Sequence, residues 1–189
     1  KDWEPTIQQL IADHPSATED EIAWETIRAL GTKASKLLLP CFEEYKGKRG
    51  RISFQTNAKL YRSKEGMIAH AADLASSCPN SQIKAPTSKA GVEAFEEMTY
   101  LGISVNATVS FTVSQAIAVA EAVERGLARR EAEGLPIDTI NPVCTIMAGR
   151  VDDYLKNHVK AKGMLVEPEI LEWAGVAVVK NAYRIYKER

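Results

Sequence analysis

No cysteine pair, histidine cluster, long apolar run or excess of either charge marks this sequence, and each lack closes off a class of protein. The three cysteines, Cys41, Cys78 and Cys144, lie far apart with no CxxC spacing, so they form neither a disulfide framework nor a zinc site. A reducing cytoplasm is the expected setting. His14, His70 and His158 have no partner at metal-ligand spacing; surface or packing roles are expected, with no metal and no other cofactor. No stretch approaches the ~18 consecutive apolar residues of a membrane span, and the opening Lys1-Asp2-Trp3-Glu4-Pro5 lacks the apolar core of a signal peptide. The formal net charge is -1, with 24 basic and 25 acidic residues interspersed, so nothing supplies the positive field that holds a nucleic acid backbone. A soluble single domain with neither membrane nor nucleic acid partner is expected from 189 residues of this make-up; a homo-oligomer is allowed.

What is present is a change of pattern along the chain. Residues 5–46 read as helix, with Pro5 suited to a first turn, a stop at His14-Pro15, and a capping box of Thr18 with Glu21. Lys46 to Gly50 is a polar, solvated loop. Strands and helices then alternate: strands over 51–57, 82–85, 103–110 and 141–147, and helices over 64–77, 88–101 and 113–133. Short connections between them imply a parallel sheet. From Val151 onward the pattern is helical, with Ile170, Leu171, Trp173, Val176, Val179 and Tyr183 expected as a buried stripe, and Cys144 expected as a buried small hydrophobe. The charged run Glu121 to Glu133 reads as a solvated exterior.

The strands carry polar residues on one face. Ile52 and Phe54 alternate with Ser53, Gln55 and Asn57, while Ile103, Val105, Ala107 and Val109 alternate with Ser104, Asn106, Thr108 and Ser110. A parallel sheet covered on both faces is ordinarily apolar on both. A closed barrel with a polar interior explains the alternation, and no glycine-rich nucleotide fingerprint supports an open doubly wound sheet. The expected fold is therefore a (β/α)8 TIM barrel. Four strands are visible where the whole barrel needs about 250 residues, so an incomplete barrel lacking strands at both ends is expected.

Lys84 ends the strand Gln82-Ile83-Lys84-Ala85. Ile83 and Ala85 should face the helices, which sends Lys84 and Gln82 inward. Desolvation there favours the neutral amine, the form that attacks a carbonyl. On spacing alone, a solvent-reaching surface lysine remains the plain alternative.

Longer runs narrow the choice. Ile83-Lys84-Ala85-Pro86-Thr87-Ser88-Lys89-Ala90-Gly91-Val92, then Gly102 to Ala116, with Gly50-Arg51-Ile52-Ser53 before and Ala148-Gly149-Arg150-Val151-Asp152-Asp153 after, closely resemble the transaldolase family over roughly residues 50–160, in order and in register. The resemblance implies that Lys84 forms a Schiff base with a ketose phosphate, and that a dihydroxyacetone unit is passed to an aldose phosphate, as in the pentose phosphate pathway. It further implies that Asn106 contacts the sugar, that Thr108 orders a catalytic water, that Thr145 takes the place of a serine near the imine, and that Arg150 binds the substrate phosphate. Taken singly, Asn106 and Thr108 could cap a strand end, and Arg150 could pair with Asp152 or Asp153.

Gln55 departs from the pattern, standing where many transaldolases carry a glutamate. An amide exchanges no proton near neutral pH, so Gln55 can act only by holding a water. Family relatives that release free dihydroxyacetone as fructose-6-phosphate aldolases also carry glutamine there, so an aldolase and a non-catalytic sugar-phosphate-binding relative are the alternatives. The family's catalytic aspartate belongs to a strand expected before Lys1, and further phosphate-binding groups are expected beyond Arg189.

Overall fold

The computed structural model describes residues 2–189. Two helices come first, α1 (Glu4–Asp13) and α2 (Glu19–Glu44), with Pro5 in the first turn of α1. The expected capping box opens α2: Thr18 Oγ1 accepts from the Glu21 N–H at 3.3 Å, and the Glu21 carboxylate accepts from the Thr18 N–H at 2.7 Å. Donation from the Thr18 backbone and hydroxyl holds the Glu21 carboxyl below the ordinary carboxylate range.

Strands β1 (Ile52–Gln55), β2 (Ser81–Pro86), β3 (Val105–Ser110) and β4 (Val143–Ile146) then form one parallel sheet in the spatial order β1-β2-β3-β4. Helices α3 (Lys64–Ala75), α4 (Lys89–Tyr100) and α5 (Val113–Ala132) connect them, and α6 (Ala148–Lys162) and α7 (Pro168–Glu188) follow β4. Spatial order equal to chain order is what a (β/α) barrel requires, whereas a doubly wound sheet reverses direction at a switch point. The α/β class and the parallel four-stranded sheet are as expected, and compatible with part of a transaldolase-type barrel.

Each helix after β1, β2 and β3 starts on a hydroxyl. Ser63, Ser88 and Thr112 accept from the N–H groups of Gly66, Gly91 and Gln115, which satisfies a donor that an uncapped helix leaves orphaned. These caps fix the chain at the C-terminal ends of the strands, where the polar residues gather.

The core lies between sheet and helices. Phe54, Ile83, Ala85, Val105 and Ala107 point from the strands at Met67, Ala71 and Leu74 of α3, Ala94, Phe95 and Met98 of α4, and Val119, Ala122 and Val123 of α5. Each large side chain buried there contributes about 1.5–3 kcal/mol. Gly91 lets α4 sit down on β2, because a Cβ at that position would lie 1.9 Å from the Pro86 carbonyl oxygen.

Several expectations are corrected. In α7, Ile170, Trp173 and Tyr183 are exposed, and the buried residues are Gly175 and Ala182. A Cβ on Gly175 would lie 2.3 Å from the Ala148 carbonyl oxygen, so α7 meets the start of α6 closely at this glycine, while Leu171, Val176 and Val179 of the expected stripe are half-buried. Cys144 is exposed, because β4 is an edge strand and the apolar cleft between it, α5 and α7, about 950 Å3, is open. Arg130 is buried within the charged run of α5, donating to the carbonyls of Pro136 and Tyr100. The expected polar face of β3 also loses Ser110, because an irregularity at Val109 shifts the register of the strand.

Among the described residues, no helix is long and apolar enough to cross a membrane. His70 meets the Trp24 ring edge-on at 4.6 Å and His158 stacks on Tyr154 at 5.9 Å, while His14 is exposed.

Candidate active site

Paired positions in parallel strands share a face, so the register lays out the polar side of the sheet row by row. Ser53 pairs with Gln82; in the next row Gln55 pairs with Lys84 and Lys84 with Asn106; above them Pro86 pairs with Thr108. Lys84 therefore stands between Gln55 and Asn106, one row below Thr108.

One chain of hydrogen bonds crosses all four strands. Gln82 Nε2 donates to the Asn141 carbonyl at 2.9 Å, and Ser53 Oγ donates to Gln82 Oε1 at 3.2 Å. Asn106 Nδ2 donates to Ser53 Oγ at 3.1 Å, and Thr145 Oγ1 donates to Asn106 Oδ1 at 2.8 Å. Ser53 and Asn106 are two strands apart, a separation of roughly 9–10 Å in a flat sheet. Their contact means that the polar side chains lean together, as they do on a concave face. The polar side is thus the inner side of a curving sheet, and the apolar side carries the helices.

The network holds Asn106 by both ends of its amide and fixes its orientation, since the nitrogen must face Ser53 and the oxygen Thr145. Lys84 is half-buried, and among the described residues neither a hydrogen bond nor an ion pair occupies its Nζ. Its backbone is pinned instead: the Thr56 N–H donates to the Lys84 carbonyl at 2.9 Å. Gln55 is exposed beside it, and Thr108 is buried.

Arg150 is exposed in the first turn of α6. Neither Asp152 nor Asp153 pairs with it; Asp152 Oδ1 accepts from the Gly175 N–H at 2.7 Å and so belongs to the α6–α7 contact. The start of α6 has no side-chain cap, unlike the starts of α3, α4 and α5. Among the described residues, no group of three or more His, Cys, Asp or Glu side chains could hold a metal ion.

The alternation placed Gln55, Lys84, Asn106 and Thr108 on the inward face, and the resemblance put Thr145 near them. In the sheet Gln55, Lys84 and Asn106 share a row, Thr108 stands in the next, and Thr145 bonds to Asn106. Sequence reading missed Ser53 as the anchor of Asn106. The signal was available in the alternation of β1, but a serine two strands away gives no hint of contact until the curvature is known.

Residues 2–189 match the Transaldolase/Fructose-6-phosphate aldolase family. The chain belongs to that family. A transaldolase of Thiobacillus denitrificans is 36% identical over 157 residues, covering 82% of this chain and 44% of that protein. Transaldolase 2 of Streptomyces avermitilis is 32% identical over 169 residues, covering 86% of this chain and 45% of the relative. A Mycobacterium tuberculosis transaldolase is 31% identical, with 86% and 45% covered. The chain thus spans a little under half the length of these transaldolases, and the stretch it shares with them carries the row of Gln55, Lys84 and Asn106.

Proposed function

We propose that the protein acts as a transaldolase, with Lys84 as the amine that condenses with the carbonyl of a ketose phosphate. Attack of Nζ and loss of water give an iminium that accepts the electron pair released when the carbon–carbon bond breaks. The three-carbon dihydroxyacetone unit then remains on Lys84 until it is transferred to an aldose phosphate. The observation that carries this reading is the unoccupied Lys84 amine, in register with an Asn106 amide held rigid by Ser53 and Thr145. A fixed amide beside the imine can bind a sugar hydroxyl without reorganising.

The remaining roles follow from position. Thr108, one row above, is assigned to hold the water that moves protons, with Gln55 as its second partner because an amide can orient a water without exchanging a proton. Thr145 orients Asn106 and borders the sugar. Arg150, beside the uncapped start of α6, is assigned to the substrate phosphate, where a forked cation and helix N–H groups act together. Gln55 supports a second reading, an aldolase that releases free dihydroxyacetone, since no carboxylate stands at that position to drive proton transfer.

Borohydride reduction with fructose 6-phosphate tests the proposal. A three-carbon adduct on the peptide carrying Lys84, lost in Lys84→Ala, is the expected result; an adduct elsewhere or none would falsify it. Adding erythrose 4-phosphate separates the two activities, because only transfer yields a seven-carbon product.

A further inference from the structure

β3 contains an irregularity that the transaldolase reading leaves unexplained. Ala107 pairs with Cys144 and Ser110 with Ile146, so three steps along β3 match two along β4. One extra residue is accommodated, and Val109 takes it up at φ +57°. A β-branched residue in the left-handed region is strained, and a bulge of this kind re-aims the side chains that follow it. Without it, Ser110 would join Asn106 and Thr108 on the inner face. With it, Ser110 falls on the face of Ala107 and Cys144, fully buried, where its hydroxyl meets that of Thr87 at 2.7 Å and accepts from Cys144 Sγ at 3.7 Å.

A single side chain spans this bulge and the turn after Lys84. Gln115 Oε1 accepts from the Phe111 and Thr112 N–H groups at 2.8 and 3.2 Å, completing the cap of α5. Its Nε2 donates to the carbonyl of the strained Val109 at 3.3 Å and to that of Thr87 at 3.1 Å. Thr87 lies three residues beyond Lys84, and its N–H donates to the Thr108 carbonyl at 2.7 Å.

We propose that Gln115 is a positioning residue that holds the Val109 bulge and the turn after Lys84 as one unit, so that Thr108 keeps to the inner face beside Lys84 while Ser110 is turned outward. The oxygen of the amide serves the helix cap and the nitrogen serves the tie, and a substitution can divide the two. Gln115→Glu keeps an acceptor at the N3 position, which a capping box accommodates equally well, but sets a carboxylate against two carbonyls. Val109→Gly removes the strain without touching Gln115, since glycine adopts positive φ freely.

The tie is read without any sugar, by amide exchange in peptides covering residues 81–88 and 105–112. In Gln115→Glu, exchange should rise in both segments while α5 remains protected; unchanged exchange in residues 81–88 overturns the proposal. Val109→Gly should raise the unfolding temperature by about 2–4 °C, yet retain the protection of residues 81–88; a lower unfolding temperature would mean that no strain is held there. The consequence for chemistry rests on the transaldolase reading: adduct formation at Lys84 should slow by about tenfold to a hundredfold in Gln115→Glu. Parent protein that forms no adduct, but shows the exchange effect, would sink that reading and leave the tie standing. An adduct formed at the parental rate in Gln115→Glu would overturn the positioning role.

Discussion

The sector from β1 to α5 and the sector from β4 to α7 are built from similar elements and packed very differently. Every residue of the main apolar cluster lies between Phe54 and Val123. Beyond it, α6 buries no residue and α7 buries only Gly175 and Ala182, while Leu165, Ile170, Trp173 and Tyr186 stand exposed. The first sector holds Lys84 between helices on one side and a hydrogen-bonded polar layer on the other. The second presents Arg150 from a helix anchored by small residues. Rigid support is concentrated where the imine is proposed to form, and the proposed phosphate contact sits on the less buried part.

The largest test of this contrast is in the core. Phe95→Ala removes a fully buried ring between helix and sheet and should destabilise by about 3–5 kcal/mol, whereas Trp173→Ala in α7 should change stability by about 0.5 kcal/mol or less, both read by denaturant unfolding. Equal losses would show that α7 is as firmly integrated as α4. Next come the two close approaches. Gly91→Ala and Gly175→Ala each drive a methyl into a backbone carbonyl and should cost about 1–3 kcal/mol. Only Gly91→Ala should also slow adduct formation at Lys84, because the displaced carbonyl belongs to Pro86; a matching slowdown in Gly175→Ala would erase the distinction.

A smaller effect is expected with pH. His70 Nδ1 accepts from the Asn57 N–H at 3.1 Å, just beyond Gln55, and burial lowers its pKa, opposed by Asp73 on its own helix and reinforced by Arg28 of α2. With the folded pKa below the unfolded value of about 6.5, the unfolded chain binds more protons in between, so stability is full above pH ~6.5 and falls as the pH drops through the depressed pKa. His70→Asn, which can present an oxygen at the same place, should flatten that dependence in thermal melts between pH 5 and 7. A slope that persists unchanged points to another group. The smallest effect is at Lys156, 3.9 Å from Glu172 across α6 and α7 with both side chains well exposed; Lys156→Ala should shift stability by less than about 0.5 kcal/mol. A shift well above this would mean that the surface pair helps to hold the second sector.

Much of this was legible before the fold was known. Alternation in β1 and β3 identified the polar side of the sheet, and the capping box of Thr18 with Glu21 marked the start of α2, because both signals are local. The exposure of Ile170, Trp173 and Tyr183 in α7 was not legible. The large apolar residues of that helix look like a core face, but these three are exposed while Gly175 sits against the start of α6. Cys144 failed for a related reason, since burial of an edge strand depends on what lies beside it.

By itself, the sequence determined where strands and helices run, which side of β1 and β3 is polar, and that Lys84 ends a strand ahead of a helix. These follow from propensity, periodicity and caps within a few residues. Only the tertiary structure decided that Ser53 reaches Asn106 across two strands, that the bulge at Val109 turns Ser110 outward, and that one glutamine ties two turns together. Those outcomes depend on sheet curvature and on contacts between residues tens of positions apart, which no local pattern encodes.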